Sequence, residues 1–109
     1  MIQLDEATKK VLIKKQHLQK LLRNNVVALS FVKKTTGTRR NMICTINRKF
    51  LRDNAYVLGF VEPTLRKDTT GTPYIIVWDL ENEGWRTVNS TSTRIIDIMP
   101  FNDWLSFIS

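Results

Sequence analysis

The chain is 109 residues long, with 42% hydrophobic and 25% charged side chains. That composition allows one compact domain with a modest core and excludes wholesale disorder, a collagen-like repeat or a coiled-coil rod. The formal charge is +7 and unevenly spread: residues 1–52 hold 13 Lys/Arg against 2 acids, a net +11, and residues 53–109 hold 4 against 8, a net −4. A cationic half of that size favours a polyanionic partner, nucleic acid first and an acidic protein surface second. No uncharged stretch approaches the roughly 20 apolar residues that span a bilayer, and Met1–Lys10 carries charges where an export signal needs an apolar run, so a cytoplasmic protein is expected. Cys44 and His17 are the single cysteine and histidine, which removes an internal disulfide and a thiolate-rich zinc site.

From Asp5 to Arg23 the residues Leu4, Ala7, Val11, Leu18, Leu21 and Leu22 recur with helical spacing, which predicts an amphipathic helix capped by Asp5 and stopped at Asn24 and Asn25. Lys9, Lys10, Lys14, Lys15 and Lys20 cover the rest of its surface and read as solvated. Its apolar stripe has no aromatic to seat at a membrane interface, so no membrane partner is expected. Val26–Lys34 and Arg39–Asn47 alternate with period two around Thr35–Thr38, whose Gly37 suits a tight turn, and read as an antiparallel hairpin with Met42, Cys44 and Ile46 facing inward.

Arg48–Ala55 lacks that alternation and reads as a short helical turn or loop anchored by Phe50 and Leu51. Tyr56–Val61 reads as a short strand ended by Glu62 and Pro63, and Thr64–Pro73 as a polar loop. Tyr74–Leu80 is the strongest strand by residue type, turning at Glu81–Gly84 into Trp85–Val88, with Trp78 expected in the core beside Tyr74 and Ile76. Ser90–Thr93 breaks the pattern and Arg94–Met99 is a last strand, closed by Pro100. Phe101–Ile108 is a short helix capped by Asn102, with Trp104, Leu105 and Ile108 as its buried face. The order predicts a mainly β, α+β single domain: an N-terminal basic helix (1–24), a small SH3-like antiparallel barrel (25–99) and a C-terminal helix (100–109).

Lys33, Lys34, Arg39 and Arg40 flank the hairpin tip, where cations can lie against phosphates, and Arg48, Lys49 and Arg52 add to them. Trp85 beside Arg86 pairs a stacking surface with a phosphate clamp. The plainer readings are a solvated tip and a core tryptophan. Asp79, Glu81 and Glu83 cluster at a turn, as acids commonly do, and no Gly-rich phosphate loop, His-Glu-x-x-His or Gly-x-Ser-x-Gly occurs. A binding protein without a cofactor is therefore expected, rather than an enzyme.

The run Tyr74-Ile-Ile-Val-Trp-Asp-Leu-Glu-Asn-Glu-Gly-Trp-Arg-Thr-Val, followed by Arg94-Ile-Ile, resembles the strand, turn, Trp-Arg strand and Arg-Ile strand of WYL-type domains. Phe31-Val-Lys-Lys-Thr-Thr-Gly-Thr-Arg-Arg-Asn-Met-Ile-Cys-Thr resembles the matching hairpin of small WYL-like proteins of tailed bacteriophages. The similar parts are residues 25–47 and 74–98. The resemblance implies an Sm-like or SH3-like β-barrel and a regulatory or nucleic-acid-binding role in a host bacterial cytoplasm. It also places Arg86 and Arg94 where WYL domains line an anionic ligand groove. Three functions follow as expectations: a barrel holding the backbone of DNA or RNA, a host-takeover adaptor that binds an acidic host protein or associates with itself, and a sensor of a nucleotide or oligonucleotide.

Overall fold

Asp5 opens helix α1 (Glu6–Asn24) by accepting the Thr8 amide at 2.7 Å, a bond that also holds its carboxyl below the usual carboxylate range. The computed structural model describes residues 5–33, 35–62 and 67–108, so the expectations for Leu4, Lys34 and residues 63–66 lie outside the described residues. The far end of α1 is closed by another part of the chain. Thr45 Oγ1 donates to the carbonyls of Leu22 at 2.7 Å and Asn25 at 3.2 Å, the Ile46 amide donates to Leu22 at 3.2 Å, and Asn47 Nδ2 donates to Arg23 at 2.7 Å. With Asn25 Nδ2 on the Leu21 carbonyl, three of the last carbonyls that a helix leaves unpaired find donors.

Strands β1 (Val26–Val32) and β2 (Arg39–Thr45) form the expected hairpin, its turn closed by Lys33 and Thr38 and by Gly37 at φ +68°. Two short helices follow, α2 (Arg48–Asp53) and α3 (Ala55–Leu58), then strands β3 (Tyr74–Asp79), β4 (Gly84–Asn89) and β5 (Arg94–Met99), and helix α4 (Phe101–Ile108). The strands make one antiparallel sheet in the order β4-β3-β2-β1-β5, so the last strand returns beside the first. The polar Asn89–Thr93 interruption is a hydrogen-bonded turn: the Asn89 side chain accepts from the amide and hydroxyl of Thr91, and buried Ser90 donates its amide and hydroxyl to Pro73.

Both faces of the sheet are covered. Leu18 and Leu22 of α1 pack on Val27, Leu29, Met42, Cys44, Ile75, Val77 and Val88, while Phe50, Leu51, Leu58, Phe60 and Trp104 pack with Val26, Trp78 and Leu80 on the opposite side. This double coverage corrects the expected partition of β3. Trp78 is buried as expected, but Tyr74 and Ile76 are half-buried, and Ile75 and Val77 between them are the buried pair, under α1.

Two further expectations fail for local reasons. Tyr56–Val61 is not a strand: the Leu58 amide bonds to the Asn54 carbonyl, and Gly59, left-handed at φ +67°, lets the Phe60 amide reach back to Ala55. Leu58 and Phe60 enter the core and Tyr56, Val57 and Val61 face out. In α4, Asn102 lies inside the first turn rather than capping it, since the amides of Asp103 and Trp104 bond to the Pro100 carbonyl, and Ile108 is exposed while Trp104 is buried and Leu105 half-buried. No helix among the described residues is long and apolar enough to cross a membrane.

The buried Thr45 hydroxyl joins α1 to the β2–α2 turn, and Thr45→Val keeps its shape while deleting the donor. Urea unfolding of this variant is expected to show a loss of about 1–3 kcal/mol, against about 0.5 kcal/mol or less for Asn41→Ala at an exposed strand position.

Candidate nucleic-acid interface

The bonds from Thr45 and Asn47 bring the basic end of α1 against the start of α2. A cleft of about 820 Å³ lies between these two elements and the β3–β4 hairpin. Four cations line it, Arg23 from α1, Arg48 from α2, Lys67 from the loop before β3 and Arg86 from β4, and no carboxylate does so among the described residues. Amide side chains of Gln19, Asn24 and Asn47, the ring of Trp85 and the apolar Ile46, Ile75 and Ile76 complete the wall. Such a lining suits a ligand that is anionic along one edge and flat or apolar along another.

A second cleft, of about 1050 Å³, shares Lys67, Arg86 and Thr87 with the first and continues to Lys33 and Arg40 of the hairpin. Its one carboxylate among the described lining residues is Asp79, which is buried and already accepts the amides of Glu81 and Asn82 and the Asn82 side chain at 3.0 Å each. The two clefts, joined at Lys67, Arg86 and Thr87, together are lined by Arg23, Arg48, Lys67, Arg86, Arg40 and Lys33.

Strand geometry divides the residues picked out by sequence. Successive side chains of a strand point to opposite faces, so Arg40 shares the α1 side with Met42, whereas Arg39 crosses to the other face and donates to Ser30 Oγ at 3.0 Å. Arg94 stands opposite Ser30 on edge strand β5 and lines neither cleft. Arg86 lies in both clefts, with Nη1 on the Trp85 carbonyl at 2.9 Å and packed so closely on Gly84 that a Cβ there would meet it at 2.6 Å. Lys34 is outside the described residues.

The cations of α2 are engaged within the chain. Lys49 pairs with Asp53 at 2.6 Å one helical turn on, a bond that raises its pKa, and points away into solvent. Arg48 and Arg52 both hold the carboxylate of Glu62, Arg48 at 3.4 Å. The Arg48 guanidinium also lies 5.4 Å from the centre of the Trp85 ring. Trp85 is half-buried. Its indole N–H bonds to the Val61 carbonyl at 3.2 Å and its ring meets Phe60 and Trp78 edge-on at 5.7 and 5.2 Å, so it is a fixed wall of the cleft rather than an open stacking platform.

Lys15 corrects the picture of a uniformly solvated basic helix. It is 5% exposed, and its ammonium donates to the carbonyls of Thr69 at 2.7 Å and Thr72 at 2.8 Å, which secures the loop that supplies Lys67 and Thr69 to the cleft. Helical spacing could have shown it, because Lys15 falls three and seven residues before Leu18 and Leu22 on the same face. Arg23 and Lys67 carried no such signal: one read as a charge at a helix end, the other as loop. Cys44 is buried beside Val27, and burial first, then the nearby Asp79 charge, pushes its thiol pKa far up, so it is a packing residue and not a nucleophile.

A helix laid on a five-stranded antiparallel sheet whose last strand returns to the first is a small α+β architecture consistent with the Sm-like SH3 class. Residues 15–92 match the family model WYL_2, described as an Sm-like SH3 β-barrel fold, and the chain belongs to that family. The match contains all six cleft cations and leaves out Arg94. No curated protein and no solved structure matches the chain.

Lys15→Met keeps the length of the side chain and removes its charge. It is expected to cost about 1.5–3 kcal/mol, the range for hydrogen bonds to charged groups, and in hydrogen exchange to deprotect the Thr72 amide while β1 and β2 keep their protection. The raised thiol pKa predicts that a thiol-specific reagent at about pH 8.5, the ordinary cysteine value, leaves Cys44 unmodified in the folded protein and modifies it fully in denaturant.

Proposed function

We propose that this chain is a non-enzymatic nucleic-acid-binding protein that holds a phosphate backbone along its two joined clefts, from Arg23 and Arg48 through Lys67 and Arg86 to Arg40 and Lys33. One observation carries the reading: six cations line a continuous groove whose single carboxylate, Asp79, is buried and satisfied by its own turn, among the described residues. Of the six, Arg48 is held by an acid, Glu62, among the described ion pairs; cations set side by side repel one another, and a polyanion relieves that repulsion while releasing its own condensed counterions. A single strand suits the groove better than a duplex, because its backbone can follow a cleft and its bases can turn toward Trp85, Ile46 and Ile76. The basic hairpin contributes by Lys33 and Arg40.

Fluorescence anisotropy with labelled single-stranded DNA, duplex DNA and RNA over a salt series tests this. The expected result is binding at low salt whose logarithm falls with the logarithm of salt by about 0.7 per phosphate neutralised on a single strand. Lys67→Ala with Arg86→Ala should weaken binding and flatten that slope, and Arg94→Ala should leave both unchanged. Absence of binding to all three at low salt overturns the reading and makes an acidic protein the leading partner.

A further inference from the structure

Glu62 lies outside the linings of both clefts but holds Arg48, which lines the first, and Arg52 at once. Its carboxylate oxygens are shared between Arg48 Nη1, at 3.4 Å, and Arg52 Nε. Arg48 and Arg52 are four residues apart on α2 and so project from one side of the helix. The pair is held open from beneath: Arg48 lies over the ring of Trp85, and Trp85 in turn is fixed through its indole N–H to the carbonyl of Val61, the residue before Glu62. Two guanidinium groups converging on one planar anion, above an aromatic ring and beside a cleft that Arg48 itself lines, form a geometry that accepts phosphate oxygens as readily as carboxylate oxygens.

We infer that Arg48 and Arg52 form a phosphate-binding subsite of the groove, and that Glu62 is its internal, exchangeable ligand. The inference rests on the nucleic-acid reading above and adds to it a site with a built-in competitor. Exchange is cheap because the ion pairs are solvent-facing: the side chains of Arg48, Arg52 and Glu62 are 32%, 54% and 45% exposed, a setting in which an ion pair adds little to stability. A phosphodiester brings the same charge on two non-bridging oxygens, and a terminal phosphate brings more charge and a third such oxygen. A ligand must therefore displace Glu62 to gain both arginines, and weakly held anions do not. The arrangement sets a threshold that favours backbones able to occupy the rest of the groove at the same time.

The test uses the full chain and a fluorescein-labelled twelve-nucleotide single-stranded DNA, read by anisotropy, with thermal melts to confirm that each variant is folded. Glu62→Gln is expected to bind about threefold to fivefold tighter than wild type, the scale of one competing exposed ion pair. Glu81→Gln, which removes an equal charge at an exposed turn position, controls for net charge and should change affinity less than twofold. In a background of Arg48→Gln and Arg52→Gln, the gain from Glu62→Gln should vanish, since there is no longer a site to vacate. Wild-type binding without a gain from Glu62→Gln, an equal gain from Glu81→Gln, or a gain that persists without the two arginines each overturns the inference and leaves the nucleic-acid reading standing. Failure of wild type and Glu62→Gln alike to bind at low salt overturns that reading and the inference with it.

Discussion

The closure of the C-terminal end of α1 by the β2–α2 turn is the constraint on which the rest of the molecule depends. Helix ends leave carbonyls unpaired, and a buried end without donors is costly. Here Thr45, Ile46 and Asn47 deliver those donors from a segment more than twenty residues away, and by doing so they dock the helix on the sheet at one position and one angle. Leu18 and Leu22 then fall over Val27, Leu29, Met42 and Cys44, and the core on that face follows. The same bonds set Arg23 beside Asn47 and Arg48, so the cationic cleft is a by-product of how the helix is capped.

Lys15 repeats the logic about two turns earlier on the same face of the helix. Its ammonium sits where an apolar side chain would pack, and the cost of removing that charge from water is offset by two short bonds to loop carbonyls. The loop has little apolar content of its own, with Thr69, Thr70, Gly71 and Thr72 in succession, so a charge-assisted anchor is the effective means of giving it one position. Helix capping and loop anchoring both act through side-chain contacts to backbone carbonyls. Together they place residues from α1, α2, the loop and β4 around one groove.

Much of this was legible in the sequence where the information was local. The α1 period, the Gly37 hairpin, the β3–β4 pair turned at Glu81–Gly84 and the short strand before Pro100 all follow from spacing and turn chemistry, and the structure has each of them. What failed was decided by contacts across the chain. Tyr56–Val61 has strand-like residues, but Asn54 and Gly59 terminate turns on either side, and only Leu58 and Phe60 have a core to enter. Residue type alone groups Tyr74 and Ile76 with Trp78, whereas helices lie on both faces of β3 and Ile75 and Val77 take the buried places under α1. The candidate site was half legible: Lys33, Arg40, Arg48 and Arg86 reach the groove, Arg39 and Arg94 are carried to the other face or to the edge by strand alternation, and Lys49 and Arg52 are paired with acids. Arg23 and Lys67 had no local mark at all, because nothing near them in sequence indicates that the end of α1 and the loop before β3 converge.

A sheet covered on both faces restricts where a ligand can be received. The α1 face of β1, β2 and β3 is occupied by Leu18 and Leu22, and the opposite face by Phe50, Leu51, Leu58 and Trp104. Coverage thins at β4, which keeps Val88 in the core but, among the described residues, pairs only with β3, and whose Arg86 and Thr87 are exposed. Edge strands present unpaired backbone and are commonly protected by charge. In this fold the charge of β4, Arg86, is also one of the residues shared by both clefts, so a feature that protects the edge from pairing with another sheet is one that offers it to an anion. On the other edge, β5 carries the exposed Arg94 at its start and adds a bulge at Ile96 and the Asp97 carboxylate, which accepts the Ile98 amide. The two edges of one sheet thus differ in their surroundings rather than in having a cation: Arg86 of β4 lines both clefts, and Arg94 of β5 lines neither.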